Sequence, residues 1–102
     1  MLYYIQIGDI TMTIADIKQK LRAGGNHFFD KDSMRFFGSR VESSLYKNNT
    51  FITSEYTGFE RTKRAYTVRY YNEQKNTVED VSGFGAFPTL DSAKEFARNY
   101  KA

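Results

Sequence analysis

The chain has 102 residues, of which 40% are hydrophobic and 17% aromatic, and this predicts one folded domain over residues 1–102 rather than a disordered tail. It has no cysteine, which excludes a disulfide framework and a zinc–thiolate site and makes the cytoplasm the expected compartment. The formal net charge of +3 permits contact with a polyanion without requiring it, and no apolar run is long enough to span a membrane.

The N-terminal part, residues 1–40, is predicted to be helical. Residues 1–11 lack the basic start and long apolar core of a signal peptide, and they could form an added strand ahead of a start at Met12. Thr13 is expected to cap the first helix, with Asp16 completing a capping box. The apolar stripe of this helix, and the glycines expected to end it in the left-handed conformation, are Ile14, Ile17, Leu21, Gly24 and Gly25.

The stretch "FFDKDSMRFFGSR", residues 28–40, predicts a second, short helix. Asp30 is expected to cap it and Gly38 to stop it. A helix of about two turns needs tertiary packing to be stable, so most of its apolar side chains are assigned to the core. The assigned core residues are Phe28, Phe29, Met34 and Phe37. The surface candidates are Arg35, Phe36 and Arg40.

From residue 41 the hydrophobic period changes to two, which is typical of strands. Four segments rich in Thr, Val, Tyr and Phe are predicted as strands: "VESSLYK" (41–47), "TFITSEYT" (50–57), "AYTVRYY" (65–71) and "NTVEDVSG" (76–83). Short turns join the first and last pairs, and a basic loop, "TGFERTKR", joins the middle pair. Short connections favour an antiparallel meander.

The closing segment "FPTLDSAKEFARNYKA" predicts a C-terminal helix. Thr89 is its expected cap, and its apolar stripe is Leu90, Ala93, Phe96, Ala97 and Tyr100. This helix is expected to pack on the sheet face that carries Tyr66, Val68 and Tyr70. The predicted fold class is therefore α+β, with residues 41–102 forming a β-meander plus this helix.

Residues for catalysis or metal binding are sparse. His27 is the only histidine, so a zinc site would need carboxylates from scattered segments. For the same reason, His27 would have to be the histidine base of any catalytic serine or threonine. "GFGAF", residues 83–87, lacks the P-loop lysine and is interpreted as a bend. We therefore expect a binding protein, with no enzymatic activity, no metal and no cofactor.

A cluster of basic and aromatic residues is the candidate binding surface. The expected outward face of the third strand carries Arg69 and Tyr71, and the loop before it is basic. Such a face can contact phosphates and stack on bases, or meet a protein partner. The sequence leaves open the alternative of a solvated face with charge pairs across strands. The candidate contact residues are Arg61, Lys63, Arg64, Arg69 and Tyr71, with Arg35 and Arg40 beside the second helix.

Residues 51–100 show three strands followed by a helix opened by F-x-T-x-x-x-A, "FPTLDSA". This pattern resembles the arm-binding domain of phage integrases and the DNA-binding domain of plant ethylene-response factors. In those domains a three-stranded sheet enters the major groove and the helix backs it. The resemblance implies a regulatory or accessory protein that binds DNA or RNA. The dense arginine and tryptophan of the plant domain are missing here.

A second resemblance rests on "FFDKDSMRFFGSR", "FITSE" and "RAYTVRYYN" and covers residues 12–100. These segments resemble a family of small proteins of largely unknown function from phages, plasmids and other mobile elements of bacteria. The resemblance implies an inhibitor of a host defence, of the anti-CRISPR type, that acts in the bacterial cytoplasm. Its expected partner is a type II CRISPR nuclease or its complex with guide RNA. The net basic charge departs from the acidic inhibitors that imitate DNA.

Overall fold

A four-stranded antiparallel sheet organises the fold. A computed structural model describes residues 12–57 and 63–101, so the expected strand over residues 1–11 lies outside the described part. Neighbouring strands in the sheet are also consecutive in the chain: β1 (Arg40–Val41), β2 (Thr50–Thr57), β3 (Lys63–Asn72) and β4 (Thr77–Asp80). The described helices are α1 (Ile14–Ala23), α2 (Lys31–Phe36) and α3 (Leu90–Asn99). The predicted α+β meander with a C-terminal helix is confirmed.

Helix α3 covers one face of the sheet, as predicted. Ala93 and Ala97 are fully buried against Ile52 and Val68, and small side chains at these two positions let the helix approach the strands closely. Phe96 was assigned to the same stripe, but it is 39% exposed. Its ring lies at the border of this contact, against Phe87 and Tyr100, so the predicted stripe is buried only in part.

The N-terminal helices and the segments around them cover the opposite face. Phe51 of β2 and Tyr71 of β3 pack there in one core cluster with Ile17, Leu21 and Phe29. Leu45, from the connection between β1 and β2, completes the cluster. The central part of the sheet is therefore buried on both sides. Within the two described ranges, no helix has the length and apolar character needed to cross a membrane.

The helix caps follow the sequence in two cases and depart from it in one. Thr13 and Asp16 form the predicted capping box, and the hydroxyl of Thr89 accepts a hydrogen bond from the amide of Ser92 at 3.2 Å. Asp30 occupies the cap position of α2, but its side chain makes no capping bond. The carboxylate instead lies 2.6 Å from Nδ1 of His27, which draws it away from the helix amides.

Glycine provides the left-handed backbone at the ends of α1 and α2. Gly38 has φ +64° and follows α2, as predicted. After α1 the positive φ belongs to Gly25 alone, at +81°, whereas Gly24 has φ −90°. The expectation that both glycines adopt this conformation is wrong, because one left-handed residue is enough to close the helix.

Two serine hydroxyls shorten the outer strands relative to prediction. Strand β1 spans Arg40–Val41 only, and the hydroxyl of Ser43 accepts from the amide of Ile52 at 3.0 Å. Strand β4 ends at Asp80, and the hydroxyl of Ser82 accepts from the amide of Val68, also at 3.0 Å. In both places a side chain satisfies a backbone donor that would otherwise require another ladder residue. The predicted ranges 41–47 and 76–83 are therefore too long.

Candidate functional site

Two residues of the predicted contact surface on β3 are buried. Arg69 is 7% exposed and Tyr71 is 2% exposed, because the N-terminal segments pack over the face that carries them. The expectation that this face points outward is wrong. Period-two alternation correctly separates the two faces of the strand, but it does not reveal that a second layer covers the more polar face.

Arg69 is the centre of a buried polar network. Its Nη2 donates to Oε2 of Glu55 at 3.0 Å, and its Nη1 donates to Oδ1 of Asp80 at 2.6 Å. Its Nε donates to the hydroxyl of Thr53 at 2.7 Å. Glu55 is fully buried and also accepts from Thr67 at 3.0 Å. The arginine is therefore committed to holding the sheet together, which is the role that buried ion pairs with full hydrogen bonding can sustain.

Arg64 lies partly buried on the other face of the sheet. Its guanidinium lies over the ring of Tyr56, 4.5 Å from the centroid, and donates to the carbonyl and hydroxyl oxygens of Ser54 and to the carbonyl of Gly38. Its contacts therefore fix the turn after α2 against β2. Lys63 is exposed at the start of β3. Arg61 lies outside the described residues.

The two remaining arginine candidates are exposed near the end of α2. Arg35 forms an ion pair with Asp32 at 2.8 Å, and both side chains are open to water. Such a pair contributes little to stability. Arg40 lies at the start of β1, directly opposite Ser54 in the ladder. The structure thus separates the six predicted residues that it describes, and Arg35 and Arg40 are the arginines among these six that stay open to solvent.

A cluster of exposed phenylalanines lies where the end of α2 meets the loop before α3. Phe36 is 70% exposed, Phe37 46% and Phe84 47%, and they account for three of the four exposed large hydrophobic residues in the described ranges. The ring centroids of Phe36 and Phe37 are 4.6 Å apart, and those of Phe37 and Phe84 are 5.0 Å apart. We call these three residues the aromatic surface. Phe36 was predicted to be exposed, whereas the assignment of Phe37 to the core is wrong.

Backbone contacts hold the aromatic surface in place from two directions. The amide of Tyr56 donates to the carbonyl of Phe37 at 2.9 Å, which anchors the end of α2 to β2. The amide of Gly85 donates to the hydroxyl of Thr67 at 2.8 Å, which anchors the neighbour of Phe84 to β3. Both anchors lie on the two central strands, so the aromatic surface is attached to the middle of the sheet.

A groove opens beside the aromatic surface, with a volume of about 550 Å³. Phe28, Met34, Phe37 and Phe84 supply its apolar walls, and Arg69 reaches it from the buried network. The remaining lining residues are Gly25, Asn26, His27, Ser33 and Ser39. A space of this size, with aromatic walls beside several polar groups, can receive an apolar side chain.

Sequence reasoning missed Phe84 and misplaced Phe37, although the sequence carries a signal for each. Phe36 and Phe37 are adjacent on a two-turn helix, and neighbours on a helix point about 100° apart, so one narrow core contact cannot bury both. Phe84 stands between glycines in "GFGAF", where no regular element directs its ring inward. Only the tertiary structure shows that the two rings meet.

Acid–base and metal chemistry have little support within the described ranges. No group of three or more histidine, cysteine, aspartate or glutamate side chains comes close enough there to hold a metal ion. His27 lies at the groove, but its Nδ1 is engaged by Asp30. The arrangement is suited to binding apolar groups.

Comparison with known proteins places the chain beside one family. The profile of a family of unknown function, DUF7447, matches residues 13–98, which include all the described helices and strands except the last residue of α3. No curated protein and no solved structure is significantly similar to the chain.

Proposed function

The chain belongs to the DUF7447 family, whose function is unknown, and we propose that it is a non-enzymatic binding protein that docks its aromatic surface on a partner protein. The observation that carries this proposal is the exposure of Phe36, Phe37 and Phe84 in one cluster. Sequence places Phe84 far from the other two, so their meeting is a property of the fold.

The energetics of the exposed rings support a binding role. Each buried phenylalanine contributes about 1.5–3 kcal/mol of hydrophobic free energy, and the fold forgoes much of this at three neighbouring positions. Contiguous apolar patches on small soluble domains often mark interaction sites. Aromatic residues and arginine dominate interface hot spots, and Arg35 adjoins these rings in sequence. A partner that covers the aromatic surface would recover the hydrophobic free energy.

The resemblance to small proteins of bacterial mobile elements supports a particular partner. We propose that the protein inhibits a host defence by occupying a surface of an effector, with the type II CRISPR nuclease as the first candidate. The nucleic-acid alternative used Arg61, Lys63, Arg64, Arg69 and Tyr71 as one contact surface. The burial of Arg69 and Tyr71 removes two of these five contacts.

A direct binding measurement tests the proposal. The purified type II nuclease loaded with guide RNA is titrated with the wild-type protein and with Phe37→Ala and Phe84→Ala. Removal of a hot-spot aromatic residue is expected to weaken binding by about 30-fold. Phe96→Ala is the matched control, because Phe96 is also exposed but lies on the opposite side of the sheet.

Salt dependence and the control variant decide the outcome. An apolar interface should keep most of its affinity between about 50 and 200 mM salt, whereas phosphate contacts would lose several orders of magnitude. Steep salt dependence, or equal loss in Phe37→Ala and Phe96→Ala, would refute the aromatic surface as the contact. Absence of binding by the wild type would refute this nuclease as the partner.

A further inference from the structure

The groove beside the aromatic surface has apolar walls and one arginine, Arg69, among its lining residues. The Phe37 and Phe84 rings form one side, and Phe28 with Met34 forms another. Phe28 is held edge-on to Phe29, with 4.8 Å between centroids, so this wall is fixed by the core beneath it. This wall of the groove is therefore preformed.

Arg69, which lines the groove, belongs to a cluster that carries formal negative charge. Arg69 is the main cationic group there, and its guanidinium is already bonded to two carboxylates, those of Glu55 and Asp80. One positive and two negative charges leave this cluster at a formal charge of −1. His27, the other basic lining residue, is paired with Asp30. An anion entering the groove would meet no uncompensated cation among the lining residues, and it would also lose its hydration.

Arg69 nevertheless retains hydrogen-bonding capacity. A guanidinium has five N–H donors, and three bonds from Arg69 to described residues are present, to Thr53, Glu55 and Asp80. Two donors remain on a side chain that is more than nine-tenths buried and lines the groove. A neutral acceptor such as an amide carbonyl can use them without adding charge to the cluster.

These observations together define the class of ligand. We propose that the groove receives one neutral, apolar side chain from an extended segment of the partner, whose backbone carbonyl accepts a hydrogen bond from Arg69. This inference rests on the proposed function and specifies the chemistry of the partner. It also reverses the expectation from sequence, in which Arg69 contacts a phosphate or an acidic residue.

A pair of small probes that differ only in charge tests the proposal without the partner. N-acetyl-phenylalanine methylamide is neutral and carries amide carbonyls, whereas N-acetyl-phenylalanine carries a carboxylate at neutral pH. Each is titrated into the isotope-labelled protein, and shifts of the amide resonances of Gly25, Ser39 and Phe84 are followed. The neutral probe is expected to shift these resonances, with the anionic probe binding at least about threefold more weakly.

Variants separate charge from shape. Asp80→Asn keeps an acceptor for Arg69 but removes one negative charge. The affinities of the two probes for this variant are expected to differ by less than about twofold. Phe37→Ala removes part of a groove wall and is expected to weaken the binding of both probes. Phe96→Ala should leave both affinities unchanged. The melting temperature of each variant confirms that it is folded.

Several outcomes would overturn the inference. They are stronger binding of the anionic probe than of the neutral one, or no shift of the amide resonances of the lining residues. A ratio of the two affinities in Asp80→Asn equal to that in the wild type would also overturn it. Because the titration needs no partner, it can fail while Phe37→Ala still weakens binding to the nuclease, and the reverse also holds. The two proposals are therefore tested separately.

Discussion

Nη2 of Arg69 lies 3.0 Å from Oε2 of Glu55, between the two central strands, and the two side chains are nearly and fully buried, respectively. The glutamate is fully buried, so the pair cannot exchange its hydrogen bonds for bonds to water. Removing Glu55 would leave the donors of Arg69, Thr67 and Ser39 without their carboxylate acceptor, and unsatisfied buried donors are among the most costly defects in a small domain.

Glu55→Ala is therefore expected to lower the free energy of unfolding by about 3–5 kcal/mol. The loss is measured by urea denaturation, with Arg40→Ala as the control because Arg40 is exposed. Arg69→Glu should be more damaging still, since it would place three carboxylates together. If Glu55→Ala and Arg40→Ala were equally stable, the network would not contribute to the fold.

Gly38 and Gly25 differ in why glycine is favoured: both have positive φ, but only Gly38 also lacks space for a Cβ. It has φ +64°, and a Cβ built on it would collide with the ring of Tyr56. Gly25 has φ +81°, but a Cβ there would have no neighbour within 4 Å. Gly25→Ala is expected to cost about 1 kcal/mol from backbone strain alone, and Gly38→Ala should cost clearly more. Thermal unfolding of both variants measures the difference, and equal losses would show that the ring of Tyr56 moves aside freely.

The helix caps are expected to differ in strength. Thr89→Ala removes a side-chain bond to the amide of Ser92 and should cost about 1 kcal/mol. Asp30→Ala removes only an exposed pair with His27 and should cost a few tenths of a kcal/mol. Denaturation curves for the two variants give the comparison. A larger loss for Asp30→Ala would mean that its carboxylate does cap α2 in solution.

Phe96→Ala is expected to cost about 1 kcal/mol, because the ring is 39% exposed and its contacts are with Phe87 and Tyr100 at the border of the core. Phe51→Ala is the comparison, since Phe51 is fully buried and its loss should cost about 3–5 kcal/mol. Melting temperatures rank the two variants. A loss in Phe96→Ala as large as that in Phe51→Ala would place the Phe96 ring in the core.

Tyr71 makes the stability sensitive to alkaline pH. Burial, with a further contribution from the charge of Glu73, raises the pKa of Tyr71 above its ordinary value of 10.0. The phenol therefore stays protonated in the folded chain at a pH where the unfolded chain ionises it. Its contribution to stability is complete below pH 10.0 and is lost as the pH rises through the raised pKa.

The variant Tyr71→Phe tests this sign. It loses the hydrogen bond from the phenol to Asn76, at 2.6 Å, and should be less stable than the wild type at neutral pH. Above pH 10.0 the wild type should lose stability more steeply than the variant, as measured by denaturation at a series of pH values. Parallel curves would show that Tyr71 does not ionise on unfolding in this range.

Much of the fold could be predicted because its signals are local. A threonine before an apolar stripe predicted the caps at Thr13 and Thr89, and period-two segments predicted the meander. Asparagine tolerates positive φ, and Asn49 adopts φ 64° in the predicted turn between β1 and β2. Each of these properties depends on a few consecutive residues, so the sequence carries it directly.

The candidate site could not be predicted in the same way. The alternation in "AYTVRYY" separates the two faces of β3, but the burial of Arg69 depends on Glu55 and Asp80, which lie on neighbouring strands. Their approach requires the strand register and the N-terminal layer above it. The sequence contains the three charged residues but does not show that they meet.

The sequence by itself determined much about the elements of this protein: the threonine caps of α1 and α3, the strand alternation, and the α3 stripe that packs on Val68. The tertiary structure alone decided which polar residues are buried and which aromatic residues are exposed. The physical reason is that a residue is buried only where a segment from elsewhere in the chain packs over it. The N-terminal layer covers Arg69 and leaves Phe37 beside Phe84 at the surface, so the charged residues stabilise the core while the phenylalanines form the candidate binding surface.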